Sequence, residues 1–124
     1  MATPKILLID DDVAVRTFLR RTLEHSQFDV IDAACGRAGL ELANVRRPDA
    51  VVCDLRMPGL NGLETLRRLR ASPLMNSVPA ILISAAPEED TERQAGELNA
   101  RFLGKPFLSS DLVKLVRQAL AGTM

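Results

Sequence analysis

The chain has 124 residues, of which 47% are hydrophobic and 26% are charged, a composition typical of one ordinary globular domain. Sixteen basic and sixteen acidic residues give a net charge of zero, so no basic excess favours direct binding to nucleic acid. No apolar run approaches the roughly 18 residues of a membrane span, and acidic residues follow the N-terminus too soon for a signal peptide. Cys35 and Cys53 fit neither a zinc spacing nor a disulfide framework, so a reducing cytoplasm is the simplest compartment.

The chain starts with a short apolar strand that runs into acidic residues. Residues 5–9 (KILLI) predict a buried strand, which ends at Asp10, Asp11 and Asp12. A helix follows from Asp12 or Val13, with the acids near its positively polarised N-terminus. Residues at helical spacing predict its buried face: Val15, Phe18, Leu19, Thr22 and Leu23. The charged residues between them are expected to face water: Arg16, Arg20, Arg21 and Glu24.

Two further strand–helix units follow. Residues 28–33 (FDVIDA) alternate apolar with acidic side chains, as in an edge strand, and a second helix comes after them. Residues 50–53 (AVVC) are an apolar run typical of a buried parallel strand, which ends at Asp54. The loop PGLNG separates this strand from a third helix over residues 63–69. Three arginines are expected on the solvated face of that helix: Arg67, Arg68 and Arg70.

The last third of the chain repeats the same alternation. Residues 80–83 (AILI) predict a fourth strand that ends at Ser84, and Pro87 with the acids after it predicts the start of a weakly apolar fourth helix. Residues 101–103 predict a short fifth strand, followed by Lys105. One of two serines is expected to cap the final helix: Ser109 or Ser110. Five alternations of strand and helix predict an α/β fold, with helices on both faces of a parallel sheet.

Polar residues follow four of the five predicted strands: Asp10 and Asp11, Asp54, Ser84, and Lys105. Because the carboxyl ends of parallel strands meet at one edge of a sheet, these side chains are expected to share a site. At ~4 Å and an effective dielectric constant near 20, each pair of like charges costs about 4 kcal/mol. Lys105 can offset one negative charge, and the remaining oxygens suit a hard divalent cation such as Mg²⁺.

Four motifs, ILLIDDD, AVVCDLRMPGLNG, ILISA and RFLGKPF, occur in this order over nearly the whole chain. With them, the chain resembles the response-regulator receiver domain of bacterial two-component signalling, as one domain over residues 1–124. The resemblance implies a flavodoxin-like (βα)5 fold, a doubly wound parallel sheet with strand order 2-1-3-4-5. It also implies a cytoplasmic signalling domain that catalyses only its own phosphorylation and dephosphorylation.

The resemblance implies a role for each residue of the expected site. Asp54 is the phosphoacceptor, and Ser84 and Lys105 act with it in catalysis. The implied cofactor is Mg²⁺ or Mn²⁺, held by carboxylates and one main-chain carbonyl: Asp10, Asp11, Asp54 and the carbonyl of Arg56. Three roles stay open for the side chain of Arg56: it pairs with the acids when metal is absent, it guides the phosphoryl donor or the attacking water, or it is simply an exposed arginine.

The resemblance further implies a conformational switch and a set of partners. Ser84 and Phe102 are the switch residues, and the peptide bond between Lys105 and Pro106 is expected to be cis. The phosphoryl donor is a sensor histidine kinase or a histidine phosphotransfer protein. The output is a downstream protein target or an output domain of a longer regulator, reached through a surface around the fourth helix, fifth strand and fifth helix. A phosphorylation-dependent homodimer is also open, whereas direct contact with nucleic acid or a membrane is not expected.

Two alternative functions remain open from the sequence. One is a receiver-like module that binds partners without being phosphorylated. The other is a haloacid-dehalogenase-like phosphatase, with Asp10 as nucleophile and Asp12 as general acid. The phosphatase alternative leaves Asp54 and its loop unexplained.

Overall fold

A computed structural model describes residues 3–85 and 89–122. Within these residues the chain alternates five strands with five helices, which confirms the predicted alternation: β1 (Lys5–Ile9), α1 (Val13–His25), β2 (Asp29–Ala33), α2 (Gly36–Arg46), β3 (Ala50–Asp54), α3 (Gly62–Ala71), β4 (Ala80–Ser84), α4 (Glu89–Glu97), β5 (Ala100–Gly104) and α5 (Ser109–Leu120). Pro87, expected at the start of the fourth helix, lies outside the described residues. None of the described helices has the length and apolarity needed to cross a membrane.

The five strands form one parallel sheet in the order β2-β1-β3-β4-β5, as predicted. The central strand β3 is buried along its whole length, which explains why its first four residues are all apolar. β2 lies at an edge of the sheet, and its alternating sequence fits a strand with one partly exposed face.

Helices cover both faces of the sheet and create two apolar layers. Alternate residues of β1 point to opposite faces, so Leu7 and Ile9 pack in the layer that includes residues of α2, α3 and α4. Ile6 and Leu8 pack in the other layer, with residues of α1 and α5. This arrangement leaves the carboxyl ends of the strands as a shared edge above the core.

The buried face of α1 differs from the prediction at one position. Leu19 and Leu23 are buried as expected, but Phe18 is 57% exposed and was wrongly assigned to the core. Phe18 instead lines a groove of about 840 Å³ between α1 and α5, together with Val113. A helix buries only one stripe of its surface against a sheet, and Phe18 lies beside that stripe.

The prediction that Arg70 faces water is also wrong, although Arg67 and Arg68 are exposed. The guanidinium of Arg70 donates hydrogen bonds of 2.7 Å to the carbonyls of Leu98 and Val78. Burial lowers the pKa of this group. Arg70 therefore ties the end of α3 to the segments that precede β4 and β5.

Neither of the two predicted serines caps α5. The N-cap residue is Leu108, and its backbone N–H donates to the Asp111 carboxylate at 3.0 Å. An acidic side chain in the first turn thus satisfies the N–H of the N-cap residue and places a negative charge near the positively polarised start of the helix.

Candidate functional site

Three carboxylates meet at the carboxyl edge of the sheet. Asp10 directly follows β1, Asp11 comes next, and Asp54 is the last residue of β3. One carboxylate oxygen of each residue lies within 4.8 Å of the others. Asp10 and Asp54 are buried, whereas Asp11 is exposed. The structure therefore brings together the three acids that the strand ends predicted, and we call them the acidic pocket.

Lys105 reaches the acidic pocket from the end of β5. Its Nζ donates a hydrogen bond of 3.2 Å to Oδ1 of Asp54, and its backbone N–H donates to the carbonyl of Ser84 at 2.8 Å. The peptide bond between Lys105 and Pro106 is cis. The ammonium group offsets one of the negative charges in the pocket, and the others remain to be balanced.

Burial makes the charged forms of two pocket residues unfavourable. It raises the pKa of Asp54, and Asp11 adds to the increase, although Lys105 and the backbone N–H of Arg56 act in the opposite direction. Burial also raises the pKa of Asp10, with a further contribution from Asp54, against a 2.9 Å hydrogen bond from the backbone N–H of Asp12. A set of oxygen ligands with excess negative charge fits a hard divalent cation.

The two residues expected to form the switch lie on neighbouring strands. Ser84 is the last residue of β4 and is 1% exposed. Phe102 lies in β5 opposite Leu82 and is partly buried against one core layer. Arg56 is exposed and lines a cavity of about 710 Å³ between the β3–α3 loop and α4.

The position of α3 beside the pocket depends on a glycine that the sequence marked only as a loop residue. The N–H of Gly62 donates to the carbonyl of Leu55 at 2.8 Å. A Cβ atom at this position would lie 2.5 Å from the carbonyl oxygen of Asp54. Glycine therefore allows the start of α3 to approach the backbone of the phosphoacceptor candidate.

Sequence reasoning missed Arg16, which was expected to face water. Its side chain is only 17% exposed, and its Nη1 donates to the carbonyl oxygen of Asp10 at 2.6 Å. Its Nε lies 3.4 Å from Oδ2 of Asp32. The spacing in the sequence gives only a direction, because a helical side chain one turn after Asp12 points back toward the helix N-terminus.

A family comparison agrees with this architecture. The sequence profile of the response regulator receiver domain matches residues 6–117. The chain belongs to this family. The match confirms the resemblance on which the expected site roles depend.

Curated relatives of this receiver domain include two mycobacterial regulators. The chain is 43% identical over 122 residues to response regulator MprA of Mycolicibacterium vanbaalenii, covering 96% of this chain and 51% of that protein. It is 39% identical over 122 residues to transcriptional regulatory protein PrrA of Mycobacterium tuberculosis, covering 97% of this chain and 51% of that protein. The chain thus spans about half the length of these relatives.

Solved structures share the fold of this receiver domain. Chemotaxis protein CheY4 of Vibrio cholerae superposes with a TM-score of 0.90 at 26% identity, covering 95% of this chain and 99% of that chain. The receiver domain of the Francisella response regulator 1452 gives a TM-score of 0.89 at 28% identity, covering 98% and 100%. The expected flavodoxin-like fold is confirmed.

Proposed function

We propose that residues 1–124 form a receiver domain that accepts a phosphoryl group on Asp54 in a reaction that depends on Mg²⁺ or Mn²⁺. The donor is a sensor histidine kinase or a histidine phosphotransfer protein, and the location is the cytoplasm. The observation that carries the proposal is the hydrogen bond of 3.2 Å from Lys105 to the buried carboxylate of Asp54, beside two further carboxylates.

The side chains of the pocket support transfer to Asp54. A carboxylate oxygen of Asp54 attacks the phosphorus atom, and the bond from phosphorus to the donor nitrogen breaks with its electron pair left on nitrogen. The product is an acyl phosphate. Lys105, already paired with Asp54, offsets negative charge on the phosphoryl oxygens during the transfer.

The donor set of the pocket fits a divalent metal ion, because its side-chain ligands are all oxygens and carry excess negative charge. The residues that would hold the ion are Asp10, Asp11, Asp54 and, through its carbonyl, Arg56. When bound, the ion neutralises charge on the phosphoryl oxygens and orients them for an in-line transfer.

The proposed signal passes from the phosphoryl group to the surface around α4, β5 and α5. Ser84 would move toward the phosphoryl group and donate its hydroxyl hydrogen to a phosphoryl oxygen. Phe102 would then move into the space that Ser84 leaves. Shifting a two-state equilibrium from 1:99 to 99:1 takes about 5.5 kcal/mol, which a few charge-assisted hydrogen bonds can supply. A protein target, an output domain or a second copy of the domain would bind this surface.

The phosphatase alternative has less support from the geometry. Asp12, its expected general acid, caps α1 by accepting a hydrogen bond of 3.0 Å from the backbone N–H of Val15. Asp10, its expected nucleophile, is 2% exposed and accepts a hydrogen bond from Asp12. The carboxylate of Asp10 is therefore more enclosed than that of Asp54, and the carboxylate of Asp12 is held as a helix cap.

Intact mass spectrometry after incubation with acetyl phosphate and Mg²⁺ tests the proposal. We expect one added phosphoryl group on the wild type, none on Asp54→Asn, and none when EDTA removes the metal. Asp29→Asn is the matched control, because Asp29 is an exposed carboxylate at the opposite end of the sheet. Labelling of Asp54→Asn to the wild-type level would contradict the assignment of the phosphoacceptor.

Beryllofluoride separates rapid hydrolysis from failure to react. If no adduct is seen but beryllofluoride binds with Mg²⁺ to the wild type and not to Asp54→Asn, the pocket can hold a phosphoryl group on Asp54, and rapid hydrolysis accounts for the missing adduct. If beryllofluoride also fails to bind, the phosphorylation proposal is wrong. The domain would then be a receiver-like module that binds partners without phosphorylation.

A further inference from the structure

The main-chain N–H and carbonyl of Asp10 are both connected to the edge strand β2, the N–H directly and the carbonyl through Arg16. The N–H of Asp10 donates to the carbonyl of Ala33 at 3.1 Å. Its carbonyl accepts a hydrogen bond of 2.6 Å from Nη1 of Arg16, whose Nε lies 3.4 Å from the Asp32 carboxylate. Asp32 and Ala33 are consecutive residues of β2, so this strand holds Asp10 once directly and once through Arg16.

These ties determine where the first two carboxylates of the acidic pocket can point. The segment from Asp10 to Asp12 is the short connection between β1 and α1, and Oδ1 of Asp10 accepts from the N–H of Asp12. A rotation of the main chain at Asp10 would turn the carboxylates of Asp10 and Asp11 together. Mg²⁺ demands nearly ideal octahedral geometry, so its affinity is sensitive to such a rotation.

We propose that Arg16 is a positioning residue for the magnesium site: it holds the main chain of Asp10 and thereby aims the carboxylates of Asp10 and Asp11. The inference rests on the proposed function and adds a regulator of metal affinity outside the metal ligands. The charge of the guanidinium alone would repel a cation, and its pairing with Asp32 reduces that repulsion.

The sign of the effect separates positioning from charge. If Arg16 acts by holding Asp10, removing its guanidinium weakens Mg²⁺ binding. If Arg16 acts only as a nearby positive charge, removing it strengthens Mg²⁺ binding. Losses of tenfold to a hundredfold in metal affinity are common when groups that orient metal ligands are removed, and we expect about tenfold.

Arg20 provides a matched control on the same helix. Its Nη1 lies 3.1 Å from Oδ1 of Asp32, and its Nη2 donates to the carbonyl of Val30 at 3.0 Å. Arg20 thus pairs with the same carboxylate as Arg16, that of Asp32, and also bonds to the main chain of β2. It lies one helical turn farther from the loop that carries Asp10.

Isothermal titration calorimetry with MgCl₂ tests the proposal on the wild type, Arg16→Met, Arg16→Lys and Arg20→Met. We expect about tenfold weaker binding for Arg16→Met, an intermediate affinity for Arg16→Lys, which keeps one donor, and wild-type affinity for Arg20→Met. Without metal, the amide NMR signals of Asp11 and Asp12 should shift or broaden in Arg16→Met and stay in place in Arg20→Met.

Unchanged or tighter binding by Arg16→Met would overturn the proposal, and so would equal losses in Arg16→Met and Arg20→Met, which would point to general packing of α1. If Arg16→Met does not fold, the Mg²⁺ affinities of Arg16→Lys and Arg20→Lys are compared instead. Weaker binding by Arg16→Lys alone would support the proposal, and equal affinities would overturn it. If the wild type neither binds Mg²⁺ nor takes up a phosphoryl group, the proposed function fails together with this inference. If the wild type does both and Arg16→Met binds Mg²⁺ normally, only the positioning role fails.

Discussion

Two charged clusters contact the connection between β1 and α1, and they balance their charges differently. The acidic pocket sets three carboxylates against the ammonium group of Lys105. The other cluster, which we call the arginine network, sets two guanidiniums against two carboxylates: Arg16, Arg20, Glu24 and Asp32. The network is neutral, whereas the pocket keeps an excess of negative charge that a bound cation would correct.

The two clusters therefore make opposite contributions to stability. Burial raises the pKa of Asp54 in spite of its pair with Lys105, so the protein environment disfavours the charged carboxylate relative to water. Asp32 is 30% exposed between two guanidiniums, and ion pairs of this kind stabilise by about 1 kcal/mol at most. The fold thus retains an unfavourable arrangement of charge at the site proposed for chemistry and a mildly favourable one next to it.

The largest expected effect follows removal of the positive charge in the pocket. Lys105→Met leaves the Asp54 carboxylate without its partner at 3.2 Å and removes a donor for the phosphoryl oxygens. We expect phosphorylation by acetyl phosphate at fixed Mg²⁺ to slow about 100-fold, as when one donor is removed from a preorganised site. Initial rates from intact mass spectrometry measure the effect.

Lys114→Met is the control for that experiment, because Lys114 is an exposed lysine of α5. It should react at the wild-type rate. A wild-type rate for Lys105→Met would show that the excess charge of the pocket does not limit the reaction.

Replacing a carboxylate by an amide should change the free energy of unfolding in opposite directions in the two clusters. In EDTA, Asp54→Asn should raise the free energy of unfolding by about 1 to 2 kcal/mol, because it removes a buried charge that is incompletely offset. Asp32→Asn should lower it by about 1 kcal/mol, because it weakens two ion pairs. Urea denaturation of the three proteins measures both changes, and destabilisation by both substitutions would remove the distinction between the clusters.

The position of the acidic pocket could be predicted from the sequence because it depends on local patterns. Polar residues follow four of the five predicted strands, and a parallel sheet brings those ends to one edge, so Asp10, Asp54 and Lys105 could be grouped before any contact was known. The fold class followed from the same alternation of strands and helices.

The arginines were mispredicted because their partners are main-chain carbonyls on other segments. Helical periodicity placed Arg16 and Arg70 in water, yet Arg16 bonds to Asp10 and Arg70 bonds to Leu98, 28 residues away. A long side chain can bury its guanidinium from a position beside the apolar stripe, and no spacing in the sequence encodes which carbonyl it will reach. The carbonyl partners of Arg16 and Arg70 could therefore be named only from the fold.

The stability gain of Asp54→Asn should depend on pH. Because burial holds the pKa of Asp54 above its ordinary value of 3.8, the native state binds more protons than the unfolded state between 3.8 and the raised pKa. The contribution of Asp54 to the free energy of unfolding therefore falls as pH rises through this window. The gain from Asp54→Asn should be full above the window and should vanish below it, where Asp54 is protonated in both states.

Urea midpoints of the wild type and Asp54→Asn, measured from about pH 7 down to the lowest pH at which both refold reversibly, test this dependence. Their difference should shrink as the pH falls. A constant difference would mean that the asparagine stabilises through packing or hydrogen bonds and that the charge of Asp54 is not the cause.

The smallest expected effect is the response of the two clusters to salt. The Debye length shortens from about 10 Å at 0.1 M to about 3 Å at 1 M ionic strength, so partly exposed ion pairs weaken. The loss of stability in Asp32→Asn should therefore fall from about 1 kcal/mol to about 0.5 kcal/mol in 1 M NaCl. The gain in Asp54→Asn should change less, because burial, the main cause of the raised pKa of Asp54, does not depend on ions in solution. Equal salt sensitivity of the two variants would mean that repulsion between the carboxylates, more than desolvation, makes the charged form of Asp54 unfavourable. The two clusters would then differ only in their balance of positive and negative charge.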